Sequence, residues 1–492
     1  MKDLKARVIR GGFAKVCAQV ANFALRIGSL MVLARLLDPK DFGLVGMVTA
    51  FTGVLNLFRD FGLSAATVQR VDVTDEQIST LFWINILVGV ILGLLLTTVA
   101  PVVVGFYHQP HLLWVTIVLS TAFLFNAAGV QHSALLQRQM RFTALATIDI
   151  ISLIASTSIG ITMAMAGLGY WALVAAAVSL PLVTTLCLWL TTGWIPGKPR
   201  LQAGLHSIMR FGGTLTLMSV VMYTAYNLEK VLLGRFWGVD AVGIYGRAFQ
   251  LISMPTDNLN SAVGEVAFSA LSRVQNDPGR LRSYFLKGYS LVLALTIPIT
   301  IAVALFAHDL IFVLLGPKWN DAAEIFRLLA PTILMFALIN PIGWLIFSLG
   351  MVGRSLKAAL VFAPLVICGY VLGLPYGPKG VAIGYSAAMT LWAVPLILWG
   401  IHGTVISFRD IMLAVSRPLA SGIVAAALAF GVQYFCGQSL SPLRRLILGA
   451  IVLLGSYAGM LLYAMGQKAF YLNLVRGLTG RPSLQDKALV SA

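Results

Sequence analysis

The first apolar run of the chain carries a stripe of polar side chains suited to binding an anion. Basic, amide and hydroxyl residues recur there at steps of four, three, four and three positions: Lys15, Gln19, Asn22, Arg26 and Ser29. In an α-helix these steps confine the five side chains to an arc of about 80°. An arginine facing lipid near mid-span costs about 2.5–3.5 kcal/mol. We therefore predict that this face borders a water-filled cavity, to which it presents a cationic side.

Arg26 also has a structural interpretation, in which it forms an ion pair with Asp60 at the inner end of the second apolar run. Asp60 directly follows Arg59, and adjacent opposite charges can simply pair with the groups around them. Both interpretations stay open at this stage. Arg59 is a further candidate for binding the substrate.

Two tyrosines give the seventh apolar run an aromatic face. Tyr223 lies one turn before Tyr226, and Tyr226 stands 200 positions after Arg26. A tyrosine ring offers an apolar face to the C–H groups of a sugar and a hydroxyl for hydrogen bonding. Tyrosines are also ordinary packing and membrane-interface residues. Arg247, in the eighth run, is the last substrate-binding candidate.

Four acidic residues within or at the ends of apolar runs are candidates for coupling transport to an ion or a proton: Asp60, Asp149, Asp257 and Glu265. Intramembrane acids often have such roles, but structural pairing is the alternative for each of them. The four cysteines lie far apart and lack the spacing of metal ligands. The sequence therefore predicts no metal site, no cofactor and no catalytic constellation.

The elements that must position these residues are membrane-spanning helices. Of the 492 residues, 59% are hydrophobic and only 11% are charged, which is far more apolar surface than a soluble core hides. Fourteen apolar stretches reach the roughly 20 residues that a transmembrane helix needs. They begin near residue 11 and end near residue 465, and they leave no room for a soluble catalytic domain. We predict an all-α polytopic membrane protein.

A repeat divides these spans into two halves. Four residues of the first half recur 200 positions later, as Leu33 and Leu233, Arg35 and Arg235, Gly43 and Gly243, and Gly46 and Gly246. We predict lobes at residues 1–200 and 201–405, with six helices each, followed by two helices and a basic tail at 406–492. Because six is an even number, both lobes enter the membrane in the same direction. Their axis should then follow the membrane normal, with the substrate path between them.

The formal net charge of +17 concentrates in loops that share one side of the membrane. With the amino terminus inside, most of the 35 Lys and Arg residues fall in cytoplasmic loops and in the tail, as the positive-inside rule requires. We therefore expect both termini to be cytoplasmic. The basic loops should contact anionic lipid headgroups rather than nucleic acid.

Two motifs together with the arrangement of spans carry a resemblance to a known family. ARLLDPKDFGLVGM at 34–47, FRDFGLSAATVQR at 58–70 and six plus six plus two spans resemble the Wzx-type polysaccharide exporters of the MOP flippase superfamily. The similarity is strongest to the colanic acid and succinoglycan exporter branch, and it implies a MATE/MOP-like fold.

The resemblance implies an inner-membrane flippase that moves an undecaprenyl-diphosphate-linked oligosaccharide repeat unit by alternating access, without hydrolysing ATP. Its role would be in exopolysaccharide or lipopolysaccharide biosynthesis, and a polysaccharide polymerase or export complex is an expected partner. No active-site residue carries over from the family, because the family shares no catalytic constellation.

Three other functions compete with this one. A multidrug extruder of the same fold would favour acids over Lys15 and Arg26, because its usual cargo is cationic. A lipid II flippase cannot be separated by charge, because both cargoes are lipid diphosphates. A membrane polymerase or acyltransferase generally needs long outer loops with polar catalytic residues, and the longest one here, near residues 308–324, is short.

Overall fold

The computed structural model describes residues 21–59, 64, 67, 68, 74–199, 205–436 and 440–471, with the backbone alone for 205–219 and for a few single positions such as Glu265. The described residues form fourteen long helices and no strand. The helices are α1 (21–36), α2 (Pro39–Asn56), α3 (Asp75–Tyr107), α4 (Leu112–Arg138), α5 (Phe142–Met165), α6 (Tyr170–Thr192), α7 (Leu205–Phe236), α8 (Gly238–Arg273), α9 (Pro278–Leu314), α10 (Asn320–Ser348), α11 (Val352–Gly373), α12 (Gly377–Ile401), α13 (Phe408–Cys436) and α14 (Pro442–Gly459).

These helices follow the predicted apolar runs in order. Within the described part of the chain, nine segments are long and apolar enough to cross a membrane, and one of them, Gly353–Ile401, covers both α11 and α12. A helix satisfies its backbone hydrogen bonds internally, which is why apolar runs in a bilayer become helices. The predicted all-α membrane fold is confirmed.

Local sequence decides where several helices begin and bend. Thr74 caps α3, because its hydroxyl accepts a hydrogen bond from the Gln77 amide while the Gln77 side chain accepts one from the Thr74 amide. α8 continues as one helix through Pro255. A departure from helical geometry falls instead in α9, at Phe306 (φ −108°, ψ 26°).

The helices group into two compact units. Unit 1 contains residues 1–246 together with the short segments 314–319 and 374–381, and unit 2 contains 247–313, 320–373 and 382–492. The core of unit 2 is built from buried aliphatic and aromatic residues of α9, α10, α13 and α14, such as Tyr289, Leu345 and Leu453. The lobe boundaries proposed from the repeat stay a prediction.

Two residues of the repeat meet in unit 1. A methyl group on Gly43 of α2 would lie 1.9 Å from the carbonyl oxygen of Val239, and one on Gly243 of α8 would lie 1.9 Å from the carbonyl oxygen of Pro39. The two contacts are equivalent, because Gly243 stands 200 positions after Gly43 and Val239 stands 200 positions after Pro39. A local twofold relation produces this pattern. Glycine is therefore required at both positions, because any side chain would overlap backbone.

Alanine at Gly43 or Gly243 should destabilise the protein by about 1–3 kcal/mol, the usual effect of overpacking. Gly246→Ala is the matched control in the same motif, because a methyl group there meets no atom within 4 Å. Membrane abundance and the thermal midpoint of the purified protein measure the difference. Equal behaviour of Gly43→Ala and Gly246→Ala would show that the close helix crossing is not required.

An ion pair joins a second-half segment to the start of α2 within unit 1. Lys318 Nζ lies 2.8 Å from Asp38 Oδ1, and the indole of Trp319 donates a 2.8 Å hydrogen bond to the carbonyl of Ala34. The hydrogen bond from Lys318 is the main cause that lowers the pKa of Asp38 below its ordinary value. A carboxyl group whose pKa is lowered by folding stabilises the folded state at pH values above its ordinary pKa. This contribution is lost only as the pH falls through the lowered pKa. The pair is therefore intact at neutral pH.

Candidate functional site

A polar cavity of about 520 Å³ lies in unit 1. Its wall comes from α2, α4 and α6 and from the residues that follow α2. The polar side chains among its described lining residues are Thr49, Thr52, Asn56, Arg59, Ser64, Asn126, Ser133, Gln137, Thr184 and Thr185. The volume is within the range of small-molecule sites, but hydroxyl and amide groups line much of the wall. This arrangement suits a hydrated or hydroxyl-rich ligand.

The α2 side of the cavity presents oxygen acceptors. Thr49, Thr52 and Asn56 are spaced by three and four positions, so they share one face of the helix. The Thr49 hydroxyl donates to the Gly46 carbonyl at 2.9 Å, and the Asn56 amide donates to the Thr52 carbonyl at 3.0 Å. The Thr49 hydroxyl hydrogen and one N–H of Asn56 are thus used within the helix, while the oxygens of both side chains can still accept. The hydroxyl groups of a sugar could donate hydrogen bonds to these side-chain oxygens.

Arg59 is the charged residue among the described residues of this wall. Its Nη1 donates a 3.2 Å hydrogen bond to Asn126 Oδ1 of α4. Asn126 in turn donates to the Ala122 carbonyl at 2.8 Å, which fixes the amide so that its oxygen faces the guanidinium. The buried Nε of Arg59 has no hydrogen-bond partner among the described residues. A guanidinium has five N–H donors, so Arg59 retains donors for an anionic ligand.

Arg26 does not belong to the described lining of this cavity. Its side chain is exposed on α1, and Asn22 lies half-buried one turn earlier. Arg26 interacts electrostatically with Asp149 of α5, whose side chain is also exposed. Two separately predicted candidates thus lie close enough for an electrostatic interaction, although they form no direct ion pair among the residues that the structure describes. The partner that we predicted for Arg26 from sequence, Asp60, lies outside the described residues, as do Lys15 and Gln19.

Tyr223 contacts the edge of the cavity. Its hydroxyl donates a 3.1 Å hydrogen bond to the backbone carbonyl of Thr49, and its ring end occupies the space where a side chain at Gly53 would lie. This half-buried tyrosine therefore packs α7 against α2. Tyr226, one turn later, is also half-buried. Their role in sugar binding stays a prediction.

The remaining candidates lie in the part of α8 that belongs to unit 2. Arg247 donates a hydrogen bond from Nη1 to the side-chain oxygen of Gln250, one turn along the same helix. The side chain of Asp257 is exposed, and Glu265 is described by its backbone alone. Within the described residues, no group of three or more His, Cys, Asp and Glu side chains could hold a metal ion.

Glu229 of α7 is a residue that the sequence reasoning missed. Its side chain is fully buried, and neither carboxyl oxygen has a hydrogen-bond partner among the described residues. The adjacent Lys230 bonds to Asn227 Oδ1 at 2.6 Å instead, because consecutive residues of a helix point about 100° apart and do not face each other. An acid followed by a base looks self-neutralising in sequence, and that appearance hid a carboxyl group that is buried without a hydrogen-bonding side chain in the described part of the chain.

Burying a carboxyl group without partners destabilises a protein, so Glu229→Leu is expected to raise the free energy of unfolding by about 1–3 kcal/mol. We expect export to fall at the same time. A buried group that destabilises the fold is usually kept because it serves the function of the protein. Thermal denaturation and polymer export measure the two effects. The control is Asp240→Leu, at an exposed acid of α8, with a change within about 0.5 kcal/mol. A drop in both stability and abundance for Glu229→Leu would mean that the carboxyl has a stabilising partner.

Comparison with known proteins identifies the family. A family model described as polysaccharide biosynthesis protein matches residues 32–324, more than half of the chain. The chain belongs to this polysaccharide biosynthesis protein family. Among similar proteins, the lipopolysaccharide biosynthesis protein WzxC of Escherichia coli K12 is 27% identical over 393 residues, covering 78% of each chain. The teichuronic acid biosynthesis protein TuaB of Bacillus subtilis 168 is 32% identical over 337 residues, covering 68% of each.

A solved structure shows that this member of the polysaccharide biosynthesis family has the fold of the MOP flippases. The lipid II flippase MurJ, in an inward closed conformation, matches 95% of this chain and 100% of its own, with a TM-score of 0.75 and 13% identity. The resemblance to Wzx-type flippases of the MOP superfamily, inferred from two sequence motifs, is confirmed. The chain is an integral inner-membrane protein.

Proposed function

We propose that this protein is a lipid-linked oligosaccharide flippase, which moves an undecaprenyl-diphosphate-linked repeat unit across the inner membrane by alternating access. The observation that carries the proposal is the unit 1 cavity, which is lined by Arg59 together with hydroxyl and amide side chains. Acceptors suit the hydroxyls of the glycan, and the guanidinium suits the diphosphate. The names of WzxC and TuaB, both polysaccharide biosynthesis proteins, support the same cargo class.

Two alternatives are less well supported, one because of the charge in the cavity and the other because of the relatives. A multidrug extruder of the same fold would have to hold cationic cargo beside Arg59, which repels it. A lipid II flippase would need the same diphosphate contact, and it is disfavoured by the names of the relatives, which refer to lipopolysaccharide and teichuronic acid biosynthesis. We infer that the protein performs no covalent chemistry, because movement of the cargo requires binding and a change of access only.

The function can be tested in a strain that lacks the gene. We expect loss of the exported polymer, with the lipid-linked repeat unit accumulating in the inner leaflet, and restoration of both by the full chain. Proteoliposomes containing the purified protein should also move a fluorescent polyprenyl-diphosphate oligosaccharide between leaflets. Normal polymer in the deletion strain, with peptidoglycan defects or drug sensitivity instead, would favour one of the two alternatives.

We further propose that both termini are cytoplasmic, since most basic loops then lie inside. Reporter fusions after Arg200 and after Met465 should report a cytoplasmic location, and a fusion after Pro110 a periplasmic one. Alkaline phosphatase and green fluorescent protein fusions provide opposite signals and so control for expression. A periplasmic signal after Arg200 would contradict both the six-helix lobe and the proposed repeat.

A further inference from the structure

A second cavity, of about 430 Å³, lies in unit 2 where the starts of α9 and α13 meet the segment that follows α14. We call it the α9/α13 pocket. Four charged side chains line it: Arg282 and Lys287 from α9, and Asp410 and Arg417 from α13. The predicted topology puts this end of all three helices at the cytoplasmic side.

The single acid of the pocket is already neutralised. Arg282 binds Asp410 through two parallel hydrogen bonds, from Nε at 2.9 Å and from Nη2 at 2.5 Å. Asp410 is buried and also accepts from the Ser407 amide at 3.1 Å. Lys287 and Arg417 have no ion-pair partner among the described residues. The pocket thus carries two uncompensated positive charges on two different helices.

The third wall of the pocket places hydroxyl groups beside these cations. α14 ends in a short π-helix, Met460–Ala464, and the chain turns at Gly466 with φ 65°. The turn lays the following residues against α9, where the Tyr471 hydroxyl and Ser290 Oγ lie 3.2 Å apart. A recess that combines cations with hydroxyl donors can bind phosphate oxygens.

An apolar stripe leads away from the pocket along α13. Leu413, Val424 and Leu428 are 59%, 40% and 52% exposed, and their spacing places them within about 60° of Arg417 on the helix. The cationic pocket is thus followed along α13 by an apolar surface. A ligand with a phosphate at one end and hydrocarbon at the other matches this arrangement.

We propose that the α9/α13 pocket binds the headgroup of an anionic phospholipid, with its acyl chains along α13. The lipid would be a structural or regulatory ligand, separate from the transported cargo, because the pocket and the unit 1 cavity share no lining residue. Basic recesses between helices at the cytoplasmic side are where anionic headgroups bind in membrane proteins. The inference does not depend on the identity of the cargo.

The test is lipid binding by the purified full-length protein in a neutral detergent. Phosphatidylglycerol and cardiolipin are titrated against phosphatidylcholine, with affinity measured by native mass spectrometry and by the shift of the thermal midpoint. The variant is Lys287→Gln/Arg417→Gln. The control is Arg273→Gln/Arg409→Gln, which removes two exposed charges from the same predicted side outside the pocket. Each lost cation weakens binding by about 1 kcal/mol, so we expect about a 30-fold loss of affinity in the variant only.

The outcomes separate lipid from other anions. Inorganic phosphate and farnesyl diphosphate are added in parallel arms, and neither should match the anionic phospholipids. Equal lipid affinity of variant and wild type, an equal loss in the control, or an equal response to phosphatidylcholine would overturn the proposal. Stronger binding of farnesyl diphosphate than of phosphatidylglycerol would overturn it in favour of a cargo site. If the double variant is poorly folded, the single variant Arg417→Gln carries the same comparison, with an expected loss of about 5-fold.

Discussion

Replacement of Arg59 by alanine is expected to reduce polymer export by about 10-fold to 100-fold, and replacement by glutamate to abolish it. The guanidinium is the charged group of the described cavity wall and retains donors that have no partner among the described residues. A hydrogen bond to a charged group contributes about 1.5–3 kcal/mol, and a factor of 10 corresponds to about 1.4 kcal/mol. Losing one such bond to the diphosphate is enough for the expected effect.

Lysine at position 59 should give an intermediate phenotype, because an ammonium keeps the charge but cannot form the planar fork of a guanidinium. The matched control is Arg141→Ala. Arg141 is an exposed arginine of the same unit, which donates to the Thr191 carbonyl at 3.3 Å away from the cavity. Its removal should change export less than about 2-fold. Export is normalised to the amount of protein in the membrane, and wild-type export by Arg59→Ala would remove this residue from the binding site.

Arg26→Ala is expected to impair export severely, with a partial loss for Arg26→Lys and complete loss for Arg26→Glu. The expectation rests on an exposed guanidinium on α1, near the middle of a predicted span, where facing lipid is costly. Arg26 interacts electrostatically with Asp149, so a purely structural pairing makes a different prediction. If Arg26 only neutralised this acid, removing both charges would restore function.

The decisive measurement compares Arg26→Ala with Arg26→Ala/Asp149→Ala and Arg26→Ala/Asp60→Ala. We expect no rescue in either double variant, because a residue that binds the cargo cannot be replaced by removing its neighbour. Asp149→Ala alone reports the effect of leaving Arg26 without its electrostatic neighbour. Restored export in a double variant, or a loss fully explained by lower abundance, would assign Arg26 to a structural role.

The helices of this protein could be predicted from sequence with good accuracy, and their ends less well. The ninth apolar run of the sequence covers about residues 284–307, whereas α9 extends from Pro278 to Leu314. A span is recognised by hydrophobicity, but a helix continues into polar sequence as long as its backbone bonds are satisfied. The start of α3 at Asp75 likewise follows from the capping box at Thr74 rather than from hydropathy.

Sequence alone determined the membrane class, the order of the helices, the family resemblance and the list of polar residues inside apolar runs. Each depends on the composition or spacing of residues within one segment, and a helix that satisfies its own backbone bonds can be recognised without knowing its neighbours.

Only the tertiary structure decided which of those polar residues meet. Arg59 faces Asn126, 67 positions away, and Tyr223 bonds to Thr49, 174 positions away. Arg26 interacts with Asp149, which is remote in sequence, and Glu229 is buried without a hydrogen-bond partner in the described chain. Such contacts depend on how each helix is rotated and packed against the others. Periodicity within one helix identifies its polar face but not the helix that this face will meet.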